Sequence, residues 1–196
     1  MQWIRAFWQY LGEHQTSKIR AVHILILALV ITQIVISNFM HVPKEANIPM
    51  HEGNAFFSWM HIGFGLLLLC LTATLATLCF SSRGLKYYYP YLWGNFTQLR
   101  EDLHTLLNRQ LPGAQAYGLA ACVQGLGLGA MGLVVLSGTT WLVLWLNGQS
   151  LAPDVRSLHQ ALTGLVEVYI CGHGGMGLLH FWQQRALLQK SACRKL

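Results

Sequence analysis

Apolar residues gather into four long runs, separated by charged or turn-forming segments. The first extends from Ala21 to Pro43, between Arg20 and Lys44, and the second from Gly53 to Ser82, between Glu52 and Arg83. The third lies in the charge-free gap between Arg109 and Asp154, with its helix expected at Gln115 to Leu146. The fourth runs from Ser157 to Gln184 and holds one acid, Glu167. A helix needs about 20 apolar residues to cross the hydrocarbon core of a bilayer, and all four runs are long enough. Backbone polar groups in lipid must be satisfied within the segment, so helices are the expected form. The pattern predicts an all-α, integral membrane four-helix bundle in one domain over 1–196, with spans at about 20–40, 54–81, 115–146 and 157–183.

Two weaker patterns have helical spacing. Trp3, Ile4, Phe7, Trp8 and Leu11 predict a short amphipathic helix lying on the inner leaflet. Leu92, Phe96, Leu99, Leu103, Leu106 and Leu107 predict a second, along the inner face. Asn95 with Gln98 three residues on reads as a capping box, and Pro112-Gly113 as the stop. The outer connections, about 41–54 and 147–156, are short.

Composition agrees with a membrane protein. Charged residues make up 10% and apolar residues 54% of the chain, against about 25% charge in a soluble domain. Of the 13 basic residues, all but Lys44 and Arg156 fall in the N-terminal arm, the second connection and the C-terminal tail. By the positive-inside rule these three segments are cytoplasmic. The net charge of +6 therefore reflects topology, and its dispersal along span boundaries argues against nucleic-acid binding. The first run is too long for the apolar stretch of a cleaved signal peptide. Cys70, Cys79, Cys122 and Cys171 lie in spans and Cys193 in the tail, none where an outer-loop disulfide would form. No C-x-x-C-H is present, which excludes covalent c-type haem attachment. Gly127-Leu-Gly129-Ala-Met-Gly132 matches a dinucleotide pattern, but it sits mid-span with no preceding strand. Small residues for close approach of a helix or a flat cofactor explain it better, as they do Gly63, Gly65, Gly125, Gly174 and Gly175.

Ionisable residues inside a span are costly and point to function. Among nine histidines, His23, His61, His159, His173 and His180 fall within spans or at their ends; His14, His41, His51 and His104 read as surface residues. His159 and His173 are 14 residues apart on the fourth span, nearly four turns and about 21 Å along one face. That spacing suits two cofactors stacked across a bilayer. His23, near the inner start of span one, matches His173 in depth. His61, in the outer half of span two, matches His159. Imidazole is a strong axial ligand for haem iron, so the depths predict two b haems, an inner one on His23/His173 and an outer one on His61/His159. Zinc would need about four ligands at one point, which this separation forbids.

Arg20-Ala-Val-His23, Trp59-Met-His61, Leu158-His159 and His173 together resemble the bacterial cytochrome b561 and NiFe-hydrogenase cytochrome b superfamily, which includes the gamma subunit of formate dehydrogenase-N. The segment His173-Gly-Gly-Met-Gly-Leu-Leu-His180 looks especially like the stand-alone b561 members. In place of the Asn-containing segment that family often carries before span three, this chain reads Pro112-Gly-Ala-Gln-Ala-Tyr117. The resemblance covers all four spans and implies the same haem pairs, a quinone at the inner end and an electron donor at the outer end. It implies a bacterial inner-membrane cytochrome b working with a periplasmic redox subunit. The alternative is a free-standing oxidoreductase exchanging electrons between quinone and a small molecule such as superoxide. The donor, the quinone type, the direction of flow and any homo-oligomer are left open. His180 has two readings, a propionate or quinone contact and an interfacial anchor beside Trp182 and Arg185. Glu167 likewise reads as a proton relay or as a protonated acid satisfied by a neighbouring helix.

The charge asymmetry makes a direct prediction. A reporter fused at Leu196 should be active in the cytoplasm; activity only in the periplasm would reverse the topology.

Overall fold

Each apolar run contains one long continuous helix. The computed structural model describes residues 6–8, 10–12, 15–40 and 52–193, with side chains from 55 to 185 in the last segment. Trp3, Ile4, His14, His41, His51 and the connection between the first two runs lie outside the described residues, as does the Cys193 side chain. The helices are α1 Ser17–Ser37, α2 Glu52–Arg83, α3 Leu85–Tyr88, α4 Thr97–Leu107, α5 Leu119–Leu146 and α6 Ala152–Cys193, with a 3-10 turn at Pro90–Trp93. No strand occurs among the described residues, and four helices, α1, α2, α5 and α6, are long and apolar enough to cross a membrane. The protein is an all-α, multi-pass membrane protein. Many of its largest apolar side chains point outward, including Ile31, Val35, Leu133, Leu136 and Val168, as lipid-facing residues should.

Two helix starts differ from the pattern, for local reasons. α6 begins at Ala152 rather than near Ser157. Pro153 suits a first helical turn, and Asp154 in that turn meets the positive end of the helix dipole. α5 begins at Leu119 rather than near Gln115. Tyr117 has φ 64°, a left-handed conformation that helix geometry cannot continue. α6 has 42 residues, about 63 Å of helix against a hydrocarbon core of about 30 Å.

By packing, the chain divides into two compact units, and α5 and α6 contribute to both. The first comprises Met1–Arg20, Gly84–Leu126 and Glu167–Leu196. In it, residues 6–8 and 10–12 are helical. The ring of Phe7 meets Phe181 edge-on at 5.2 Å and Tyr10 lies 5.6 Å from the same ring, so the aromatic side of this segment packs on α6. Arg20 lies 4.2 Å over the Trp8 ring and donates to the Trp8 carbonyl at 3.0 Å.

The long connection is strapped to α5 at two points. Tyr88 is buried, and its carbonyl oxygen stands 2.8 Å from where a Cβ on Gly125 would be. Tyr89 Oη donates to the Gly125 carbonyl at 2.8 Å. Burial, with Tyr91 adding to it, pushes the Tyr89 phenol above its ordinary range, which keeps the donating proton in place. The second point is Asp102, buried at 4% exposure. Its Oδ2 accepts from the backbone N–H of Leu119 at 2.7 Å and its Oδ1 from Gln98 Nε2 at 2.9 Å. A carboxylate on α4 thus caps the first turn of α5, where unpaired N–H groups and the dipole favour negative charge. A Cβ on Gly118 would collide with that carboxylate.

The capping-box expectation is corrected here. Asn95 Oδ1 accepts from the Thr97 N–H at 3.4 Å, but Gln98 turns away to Asp102, because a buried carboxylate needs a donor more than an exposed backbone N–H needs an acceptor. α4 also ends earlier than Pro112, at Asn108, where Arg109 takes φ 58°. Its outer side, with Phe96, Leu103, Leu106 and Leu107, is exposed, as an amphipathic interfacial helix requires.

The second unit comprises Ala21–Arg83 and Gly127–Val166, so all four spanning helices enter it. Several hydroxyls here return to their own helices. Thr32 bonds the Ala28 carbonyl, Thr74 that of Cys70, Thr77 that of Ala73, and Thr139 that of Val135, at 2.7–2.8 Å. Back-bonding of this kind satisfies a hydroxyl without a partner helix. Gly127, Gly129 and Gly132 lie inside α5 with no strand before them, so the dinucleotide pattern has no structural counterpart.

Gly125 supplies a stability test. A methyl group there would press on the Tyr88 backbone, which cannot swing aside. Gly125→Ala should lower stability by about 1–3 kcal/mol, read as a drop in Tm of the detergent-solubilised protein; an unchanged Tm would mean the strap yields freely.

Candidate functional site

A histidine on α2 and one on α6 face each other in the second unit. The rings of His61 and His159 are 6.3 Å apart, centroid to centroid, with planes at 85°. Both are partly buried among apolar side chains. Neighbouring helices fix their surroundings. Gln33 on α1, itself buried, donates from Nε2 to the His61 backbone carbonyl at 2.8 Å. That carbonyl is free to accept because Gly65, four residues on, leaves room for the amide; a Cβ there would sit 3.4 Å from Gln33 Nε2. On the other side, His159 Nδ1 lies 3.1 Å from Ser137 Oγ and 3.1 Å from the Val134 carbonyl oxygen, both on α5. The His159 ring rests on the backbone at Gly138, where a Cβ would meet its Cε1 at 2.9 Å. Thr163 bonds back to the His159 carbonyl at 2.9 Å.

His61 Nδ1 and Gln33 Oε1 are buried with no hydrogen-bond partner. Such orphans are rare and call for a reason. The separation of the two rings is informative. A first-row metal bonds imidazole nitrogen at ~2 Å, so two imidazoles sharing one metal put their ring centres roughly 6 Å apart. The observed spacing fits that arrangement. Haem iron takes its four in-plane ligands from the porphyrin and only two from protein, so a pair suffices. Among the described residues, no three His, Cys, Asp or Glu side chains gather as a larger metal cluster.

The other sequence candidates occupy these places. His23 lies on α1, in the second unit, and is partly buried. His173 lies on α6 in the first unit, and the Tyr169 ring, one turn earlier, stacks on it at 5.1 Å and 9°. His180 is half-buried further along α6, next to buried Phe181, with Trp182 exposed beyond. Glu167 is exposed on α6. Of the six glycines expected to make room for a ring or a helix, Gly65 faces Gln33 and Gly125 faces Tyr88. A Cβ on Gly63, Gly132, Gly174 or Gly175 would meet nothing within 4 Å.

Sequence reasoning missed Gln33, Ser137, Gly138 and Tyr169. For Gln33 the signal was present: an amide mid-way along a span carries the same cost in lipid as an imidazole does. Tyr169 could have been found by its i, i+4 spacing from His173. Ser137 and Gly138 gave no signal, since serine and glycine are ordinary in spans.

Apolar spanning helices that bring imidazoles from different helices within reach of one iron suit the transmembrane haem proteins, the b-type cytochromes. The chain belongs to the prokaryotic cytochrome b561 family, whose model matches residues 14–191. It is accordingly a membrane cytochrome b for electron transfer across the membrane. Comparison with curated proteins and with solved structures found no match.

Gly138 offers a test of the His159 environment. Gly138→Ala should push the imidazole off the α5 backbone and lower b-type haem per chain, measured as the pyridine haemochrome. Full haem content in that variant would show that the ring's seat on Gly138 is dispensable.

Proposed function

We propose that the chain is the membrane subunit of a respiratory oxidoreductase, carrying electrons between a periplasmic donor subunit and the quinone pool with two b haems. The observation that carries this reading is the 6.3 Å approach of His61 and His159, and the depths expected from the sequence support the second pair. His61 and His159 hold the outer haem iron, and His23 and His173 the inner one. The bound haems supply reversible one-electron chemistry at iron. The residues of the chain would hold each iron through paired imidazoles, exclude water from it and set the spacing. His159 and His173, 14 residues apart on one helix, set that spacing at about 21 Å along the axis.

The quinone site belongs at the inner end. The family resemblance supports this, and so does the exposed apolar side of α4, with Phe96, Leu103 and Leu106. The cytoplasmic placement of both termini rests on the distribution of Lys and Arg. The short outer connections offer no catalytic centre, which favours a partner subunit there. The match to prokaryotic cytochrome b561 also keeps the second reading, a free-standing oxidoreductase passing electrons between quinone and superoxide. Co-purification with a redox subunit favours the first; turnover of quinone and superoxide by the isolated chain favours the second.

Histidine variants test the haem assignment. Wild-type protein should contain two non-covalent b haems per chain. His61→Ala should lose one haem and keep the other, His23→Ala should lose the other one, and His180→Ala should keep both. If His180→Ala loses a haem while His173→Ala keeps both, the inner site must be redrawn around His180.

A further inference from the structure

α5 touches His159 through polar atoms of Val134 and Ser137. Ser137, 8% exposed, donates from Oγ to the Val134 carbonyl at 2.9 Å. This bond alone satisfies the hydroxyl hydrogen within its own helix, so the 3.1 Å approach of Oγ to His159 Nδ1 is an additional feature. The Val134 carbonyl oxygen stands 3.1 Å from the same nitrogen. A carbonyl oxygen can only accept, so Nδ1 carries the ring proton. With its own hydrogen committed to Val134, Ser137 Oγ also accepts from Nδ1–H. The neutral imidazole then has its lone pair on Nε2, the nitrogen left for a metal.

We propose that Ser137 is a positioning residue for His159: with the Val134 carbonyl it holds the Nδ1–H tautomer, keeps Nε2 as the ligating atom and strengthens that nitrogen as a donor. The proposal rests on the reading that His61 and His159 hold one haem iron. An acceptor on the far N–H of a ligating histidine fixes the ring and raises its basicity. A more basic ligand favours ferric over ferrous iron, so Ser137 keeps the potential of this one site low. The inner site, on other helical positions, does not depend on it.

Ser137→Val and Ser137→Ala remove the acceptor, and Ser137→Thr restores a hydroxyl at the same place. Each variant is purified with its haems, counted by pyridine haemochrome and titrated for the two midpoint potentials. The site lost in His61→Ala identifies which potential belongs to His159. Expected in Ser137→Val and Ser137→Ala are two haems, an unchanged inner potential, and a rise at the His61/His159 site. A tenfold loss of ferric preference corresponds to about 59 mV for one electron. Ser137→Thr should return the potential towards wild type. If valine overpacks the contact and both haems are lost, the alanine variant decides. An unchanged or lowered potential with both haems present overturns the proposal, as does a rise shared equally by both sites or a failure of threonine to restore. Should wild-type protein hold no haem that depends on His61, the assignment of the site itself fails, and that outcome is separate from these.

Discussion

Hydrocarbon offers no hydrogen-bond partner, and the rest of the structure is arranged around that lack. Several hydroxyls on the spans turn back to carbonyls of their own helices, as Thr32, Thr74, Thr77 and Thr139 do. Among the described residues of the second unit, polar contacts between spans reach both His61 and His159. Gln33 reaches one across a helix boundary, and the Val134 carbonyl and Ser137 reach the other. Hydrogen bonds between membrane helices average only about 0.6 kcal/mol. Their main effect is then on register: they decide which turn of α1 lies beside His61 and which turn of α5 beside His159, while close packing supplies most of the cohesion.

The first unit solves a related problem at a helix end. α5 opens beside a connection that must leave the bilayer and return, so its first N–H groups need acceptors. Asp102 provides one from a different helix, and Tyr88 and Tyr89 hold the connection against Gly125 from the other side. α5 contributes to both units, with its start at Leu119 in the first.

The four spans were legible because charge is almost excluded from them, and one-dimensional bookkeeping suffices to count them. Rise per residue likewise converts position along a span into an expected height for each histidine. Rotation about a helix axis was less so. That Ser137 faces His159, that Gln33 faces His61, and that Gly138 receives the ring all depend on which helices are neighbours. Gln98 illustrates the limit most directly. Its spacing from Asn95 satisfies a local capping rule, yet it bonds Asp102, because that carboxylate is buried under the start of α5, 17 residues further on in sequence from Asp102 to Leu119. Local pattern cannot register a demand that arises from tertiary burial. Gly125 reads from the sequence as a place of close approach, but the approaching group is the Tyr88 backbone, which no periodicity in the loop announces.

One of the two acceptors on His159 Nδ1 is a main-chain oxygen, that of Val134. Its chemistry is indifferent to the side chain at that position. Any residue that keeps α5 helical presents the same oxygen, so this half of the contact passes through evolution without leaving a mark on position 134, and an alanine scan would step over it. Ser137 is the half that natural variation can tune. Under the proposed assignment, substitution at position 137 would leave the protonation of this histidine in place and alter only its donor strength.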